Sequence, residues 1–89
     1  MLIALIARDK PGALQIRLDT RDAHVDYLKT SGPVSQAGPL LDDAGQMCGS
    51  LVVLDVPDMN AARAWAEADP YAHAGLFESV ELIPWKKVI

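Results

Sequence analysis

Two nearly continuous apolar runs predict the central strands of the fold. Residues 1–7 and 49–56 have strand length, and each is followed by a proline that marks its end. The alternating positions of residues 76–85 predict a strand that closes the chain. Residues 34–37 predict a short fourth strand, followed by a loop that begins at Gly38.

Helical spacing of apolar residues occurs twice between these strands. Residues 13–29 carry apolar side chains within a narrow arc at about 100° per residue, which predicts a long amphipathic helix. Gly32 and Pro33 end this helix. A second helix opens at Pro57-Asp58. We expect the apolar stripe of the long helix to face the core, and it consists of Leu14, Leu18, Val25 and Leu28.

The order of the predicted elements is βαββαβ, which indicates an α+β fold. Two split β-α-β units fit residues 1–89 as a single domain, a ferredoxin-like sandwich with an antiparallel sheet and both helices on one face. The central strands are apolar on both faces, but the helices cover only one. Because the uncovered face would exceed the apolar patch that monomers usually expose, we expect a homodimer packed through the open sheet faces.

Charge and composition exclude several classes of partner. The formal net charge of −4 provides no basic field for nucleic acid, so we expect no nucleic-acid partner. No apolar run approaches the roughly 20 residues that span a bilayer, and the first residues contain no basic segment or cleavage site. A single cysteine, Cys48, fits a reducing compartment. We therefore expect a cytoplasmic protein without a membrane partner.

One face of the long helix carries three residues that could support chemistry. Arg17, Arg21 and His24 are spaced i, i+4 and i+7. In a structural interpretation the arginines extend over the sheet edge and His24 is a satisfied, half-buried imidazole. In a functional interpretation the arginines favour a neutral imidazole that serves as general base, and they hold an anionic or phenolate substrate. The sequence leaves both interpretations open.

The segment Asp69-Pro70-Tyr71 also has two interpretations. Asp69 is a favoured helix N-cap, Pro70 suits the first helical position, and Gly75 could close the resulting turn. Alternatively, Asp69 is a fixed carboxylate at the mouth of a pocket, where it orients a base. The two roles are compatible, because a carboxylate that caps a turn is also held in place.

Other types of site have little support in the sequence. Two histidines and one cysteine show no metal-ligand spacing, so we expect no metal site. No serine lies in a nucleophile elbow, and the glycines form no phosphate-binding array. We expect no cofactor, and we expect His73 to face solvent.

Several short motifs together resemble the YciI-like family over essentially the whole chain. They are Arg8-Asp9-Lys10-Pro11-Gly12, Arg17-Leu18, Arg21-x-x-His24, Tyr27-Leu28, Ala37-Gly38-Pro39-Leu40, Gly49-Ser50-Leu51, Ala68-Asp69-Pro70-Tyr71, Ala74-Gly75-Leu76-Phe77 and Pro84-Trp85. The resemblance implies a dimeric α+β barrel, related to small monooxygenases and muconolactone isomerases, with a proposed His-Asp active site. One branch of the family is a dehydrochlorinase that acts on chlorinated hydroxyquinols.

Carried onto this chain, the resemblance implies a catalytic pair of His24 and Asp69, with Asp9 as the second choice of carboxylate. His24 would lie on the order of 18 Å from the start of the long helix, at about 1.5 Å per residue. The two helices of this topology run antiparallel, so Asp69, at the end of the second helix, is expected near the start of the long helix. Asp69 can therefore reach His24 only if the second helix is offset, if the turn folds back, or if the partner subunit supplies one group. The expected substrate-binding residues are Arg17, Arg21, Asp9 and Tyr71.

Three hypotheses follow for the function. The first is a small cofactor-independent enzyme, a lyase or isomerase of the dehydrochlorinase type, that transfers a proton on a small cyclic or anionic substrate. The second is a non-catalytic dimeric module that binds a small organic ligand. The third is a purely structural interaction domain, which would have no enclosed pocket near His24.

Overall fold

The fold is seen in a computed structural model that describes residues 1–89 and contains four strands and three helices. The elements are β1 (Leu2–Asp9), α1 (Leu14–Thr30), β2 (Val34–Leu41), β3 (Met47–Asp55), α2 (Met59–Ala68), α3 (Pro70–His73) and β4 (Phe77–Trp85). The sheet order is β2-β3-β1-β4, and every neighbouring pair is antiparallel. This is the ferredoxin-like order, so the predicted α+β fold is confirmed.

Strand β2 is longer than the sequence pattern predicts. The strand continues through Gly38 and Pro39 to Leu41, so the prediction of a strand that ends at Ala37 is wrong. The physical reason is that β2 lies at the edge of the sheet and pairs only with β3. An edge strand accepts a proline, because one of its sides has no ladder hydrogen bonds to lose.

The hydrophobic core lies between the sheet and the helices. Alternate residues of β1 and β3 point toward this side, where Ile3 pairs with Leu54 and Leu5 pairs with Val52. Trp65 of α2 packs onto these strands, and its indole Nε1 donates a hydrogen bond to the Ser31 hydroxyl over 2.9 Å. The remaining members of this cluster are Ala7, Val56 and Ala62.

Helix α1 turns a polar stripe toward the core. Arg17 and His24 are only 2% and 6% exposed, whereas Leu18 is 47% exposed. The prediction that Leu18 faces the core is therefore wrong. The burial of Arg17 and His24 is possible because each has a buried carboxylate partner, Asp9 and Asp69 respectively, and paired polar groups avoid most of the cost of burial.

The opposite face of the sheet carries no helix. Leu51, Ile83 and Trp85 are each about two-fifths exposed there, and a groove of about 550 Å³ runs along the face from β2 to Trp85. A single chain thus leaves an apolar sheet face uncovered, as the alternation of the central strands predicts. No helix of the fold has both the length and the apolar character needed to cross a bilayer.

Candidate functional site

The short helix α3 brings Asp69 to His24. Asp69 has an extended backbone between α2 and α3, and its Oδ1 accepts the Tyr71 backbone N–H over 2.9 Å, so it caps α3. Helix α3 packs back against α1. Asp69 Oδ1 then lies 2.7 Å from His24 Nδ1 within one chain. Of the three routes that could join these residues, the folding back of the turn is the one that occurs.

The hydrogen bond to Asp69 fixes which nitrogen of His24 is available. An ionised carboxylate only accepts hydrogen bonds, so in a pair with such a carboxylate His24 Nδ1 carries the N–H and is the donor. In the neutral form of an imidazole with this tautomer, Nε2 has the free lone pair. Every fully buried side-chain nitrogen and oxygen in the molecule has a hydrogen-bond partner, whereas Nε2 has none, so Nε2 is accessible at the surface. His24 also lines a cavity.

Tyr71 lies between Arg17 and His24, the two buried polar residues of α1. Its ring stacks on the His24 ring with a centroid distance of 3.8 Å and an interplanar angle of 14°, and Arg17 Cζ lies 4.6 Å from the Tyr71 centroid. Arg17 and His24 are about two helical turns apart, so the Tyr71 ring fills the space between them. Burial raises the pKa of Tyr71, although the charge of Arg17 opposes this shift. Tyr71 is therefore a neutral phenol that can donate a hydrogen bond.

Arg17 is held by residues from two strands. Its Nε and Nη2 donate to the two carboxylate oxygens of Asp9, each over 2.7 Å, and Nη2 also donates to Ser50 Oγ over 3.0 Å. Burial alone would lower the pKa of Arg17, but the hydrogen bond and charge of Asp9, together with Tyr71, outweigh burial and raise it. Arg17 therefore stays charged, and Asp9 pairs with it rather than with His24.

Ser50 belongs to this cluster, although the sequence predicts it only as part of a family motif and not as a site residue. It is 3% exposed and lies opposite Ala7 on the side of the sheet that faces the helices. A hydroxyl at an inward position of an otherwise apolar strand is the signal that points to it, because a buried hydroxyl needs a hydrogen-bond partner.

A cavity of about 230 Å³ lies between α1, β2 and β3 beside these residues. Four of the predicted site residues line it, namely Arg17, Arg21, His24 and Tyr71. The apolar part of its wall consists of Val25, Leu28, Ala37, Pro39, Met47 and Val52. The two aspartates, Asp9 and Asp69, lie behind this wall and hold the residues that form it.

Arg21 differs from Arg17 in having no partner. It is exposed on the helix between Arg17 and His24, and it makes no ion pair or side-chain hydrogen bond. His73 is exposed on α3, and Cys48 is half-buried and not in a disulfide. No three His, Cys, Asp or Glu side chains are close enough to hold a metal ion together. Arg21 is thus the free cation of the cavity.

Comparisons with known proteins agree with one another over nearly the whole chain. The YCII-related domain family matches residues 1–86. The protein YciI of Escherichia coli O6:H1 is 37% identical over 97 aligned residues, which cover 99% of both chains. The structure of 5-chloro-2-hydroxyhydroquinone dehydrochlorinase from Burkholderia phenoliruptrix AC1100, in complex with 2,5-dihydroxybenzoquinone, is similar with a TM-score of 0.87 and 32% identity. This match covers 97% of this chain and 94% of the dehydrochlorinase.

More distant structures share the fold alone. A protein of Mycobacterium tuberculosis is similar with a TM-score of 0.66 and 12% identity, and the match covers 100% of both chains. The predicted resemblance to the YciI-like family is confirmed by the family match and by the 37% sequence identity to the Escherichia coli protein YciI. The chain therefore belongs to the YCII-related domain family.

Proposed function

We propose that the chain is a small enzyme that transfers a proton on a small cyclic or anionic organic substrate, without a cofactor, and that His24 is its general base. The observation that carries this proposal is the pairing of a buried Asp69 with Nδ1 of a histidine that lines a cavity, which leaves Nε2 as the ring nitrogen without a partner. A positioned base next to a bound substrate typically contributes on the order of 10²–10⁴-fold to a rate.

Three residues that line the cavity, His24, Tyr71 and Arg21, have a part in the proposed reaction. His24 Nε2 accepts a proton from a C–H or O–H group of the substrate, and the imidazolium that forms is stabilised by the Asp69 carboxylate. Negative charge then develops on a substrate oxygen. The neutral hydroxyl of Tyr71 and the free guanidinium of Arg21 are the donors that stabilise this oxygen.

The similarity to a dehydrochlorinase suggests the class of reaction. In an elimination of HCl, the proton would pass to His24 and chloride would leave with the electron pair of the C–Cl bond. In an isomerisation, the first step would be the same, and His24 would return the proton at a different atom. The cavity of about 230 Å³ is below the roughly 300–1,000 Å³ of pockets for drug-sized ligands, so it suits a compound with a single ring.

The proposed active form is a homodimer, which we expect to be cytoplasmic. The apolar groove of about 550 Å³ on the open sheet face is the surface that a second copy would cover. Leu51 of β3 lines this groove, and Ile83 of β4 is exposed on the same face. Pairing of two such faces would remove the apolar surface of both copies from water, which is the main favourable term in association.

The experiment uses two compounds named by the comparison. Chloride release from 5-chloro-2-hydroxyhydroquinone measures turnover, and titration with 2,5-dihydroxybenzoquinone measures binding. His24→Gln should abolish chloride release in a chain that still folds, whereas His73→Gln, at an exposed histidine, should leave chloride release unchanged. Equal turnover by His24→Gln and the natural chain would refute the proposed base.

The same titration separates the enzyme from a non-catalytic binding module. The module would use Arg21 and the apolar wall of the cavity but would need no proton transfer. Binding of 2,5-dihydroxybenzoquinone without conversion of any chlorinated or isomerisable compound on prolonged incubation would favour the module. A large loss of stability in His24→Gln, with no ligand bound by the natural chain, would favour a structural role for the histidine.

A further inference from the structure

We propose that Arg17 is a positioning residue that acts through Tyr71 to hold the His24 ring, rather than a residue that binds the substrate. The catalytic meaning of this role rests on the proposed function. The structural role of Arg17 does not depend on that function, because the contacts that link Arg17 through Tyr71 to His24 can be tested without any substrate.

Arg17 is already committed to other side chains. Two of its three guanidinium nitrogens donate to Asp9, and one of these also donates to Ser50, at 2.7–3.0 Å. The side chain is 2% exposed. A bidentate pair of this kind fixes the plane of the guanidinium as well as its position. Arg17 therefore cannot move toward a ligand. Arg21, which is exposed and has no partner, can.

The fixed guanidinium lies against the ring of Tyr71. Arg17 Cζ is 4.6 Å from the ring centroid, and Tyr71 is 1% exposed, so the cation and the ring attract each other with little screening by water. The Tyr71 ring also stacks on His24 at 3.8 Å, and Phe77 packs edge-on against it with a centroid distance of 5.9 Å. Asp9, Arg17, Tyr71 and His24 thus form one continuous column of side chains.

The column supplies a restraint that Asp69 cannot supply alone. Asp69 contacts the His24 ring at a single atom, Nδ1, and one hydrogen bond leaves the plane of the ring free to tilt. The Tyr71 ring, nearly parallel to His24 at 14°, defines that plane. Together the two contacts determine where Nε2 points in the cavity. Groups that orient a catalytic or metal-binding histidine in this way are often needed for full activity.

The test is proton NMR of the two histidine side chains. The stacked ring of Tyr71 should shift the His24 ring protons upfield of those of exposed His73, which is an internal reference. Arg17→Lys keeps the charge but loses the planar fork, so most of this upfield shift should disappear. Arg63→Lys, at an exposed arginine of α2, is the matched control and should leave the shift unchanged.

Two further variants keep the proposal testable if Arg17→Lys does not fold. Asp9→Asn and Ser50→Ala remove partners of Arg17 with little change in shape, and each should reduce the same upfield shift in part. Tyr71→Phe keeps the ring and should keep the shift. Folded variants of Arg17 or Asp9 that melt at a lower temperature but retain the full His24 shift would overturn the proposal, because the pair would then only stabilise the fold.

Turnover provides an independent second readout. If the natural chain releases chloride, Arg17→Lys should lower kcat by up to about 10²-fold with little change in KM, since a misplaced base slows the chemical step rather than binding. A raised KM with unchanged kcat would instead identify Arg17 as a substrate ligand. If the natural chain does not release chloride, the proposed function fails while the NMR result still decides the positioning role.

Discussion

Asp69 has two roles, and a pair of substitutions can separate them. Its Oδ1 accepts both the Tyr71 backbone N–H at 2.9 Å and the His24 Nδ1–H at 2.7 Å. An asparagine has an oxygen that can occupy the same position and accept both hydrogen bonds, but it carries no charge. Asp69→Asn therefore keeps the cap and the orientation of His24, whereas Asp69→Ala removes both.

The expected losses of stability follow from the number of contacts removed. Asp69→Ala loses an N-cap, which is worth about 1 kcal/mol, and leaves a buried imidazole N–H without a partner, which costs about 1–3 kcal/mol. The free energy of unfolding should fall by roughly 2–4 kcal/mol. Asp69→Asn should cost only about 1 kcal/mol, because asparagine caps helices as well as aspartate does and only the charge on one hydrogen bond is lost.

Asp69→Asn should affect turnover much more strongly than it affects stability. In Asp69→Asn the imidazolium formed at His24 has no buried counter-charge, so kcat should fall on the order of 10²-fold although the fold is nearly intact. Urea unfolding followed by tryptophan fluorescence measures the first effect, and chloride release measures the second. Full turnover in Asp69→Asn, or a loss below about 1 kcal/mol in Asp69→Ala, would refute this assignment of Asp69.

Three further predictions concern the remainder of the fold. Burial raises the pKa of both tyrosines of the chain, so the folded state holds their protons more tightly than the unfolded state. The stability that the protonated tyrosines contribute is present below about pH 10 and is lost as the pH rises through the folded pKa values. Ultraviolet titration should therefore give tyrosinate at higher pH in the folded chain than in urea. Coincident titration curves would contradict this prediction. On the open sheet face, Leu51→Glu should convert a sedimenting dimer to a monomer, whereas Leu18→Glu, at a similarly exposed leucine of α1, should not, and a natural chain that is monomeric at micromolar concentration would refute the dimer. Gly49→Ala would place a Cβ 2.4 Å from the Ala7 carbonyl oxygen and should destabilise the chain by about 1–3 kcal/mol or more, whereas Gly38→Ala meets no atom within 4 Å and should unfold at nearly the same urea concentration as the natural chain.

The sheet could be predicted from the sequence because its signal is local. The apolar runs of residues 1–7 and 49–56 and the helical spacing between them determine the order of elements, and that order has few compact solutions. The extension of β2 through Pro39 could not be predicted in this way, because it depends on the position of the strand at the sheet edge, which is a property of the assembled fold.

The candidate site was only partly predictable for a related reason. The face of α1 that carries Arg17 and His24 is visible in the spacing, but which of the two helix stripes is buried depends on partners far away in the chain. His24 meets Asp69 across 45 residues, and Arg17 meets Ser50 across 33. Local hydrophobicity favours the leucine stripe, and the buried partners of Arg17 and His24 reverse that preference for these two residues.

The most direct test of the proposed base is the tautomer of His24, measured by ¹⁵N NMR of the histidine side chains at a pH where the imidazole is neutral. If His24 is the base, Nδ1 carries the proton and is hydrogen-bonded, Nε2 is unprotonated, and addition of 2,5-dihydroxybenzoquinone changes the Nε2 signal while that of exposed His73 stays constant. A proton on Nε2 of the neutral ring, with Nδ1 unprotonated, would refute this role, because Asp69 would then not orient His24 as a base toward the substrate.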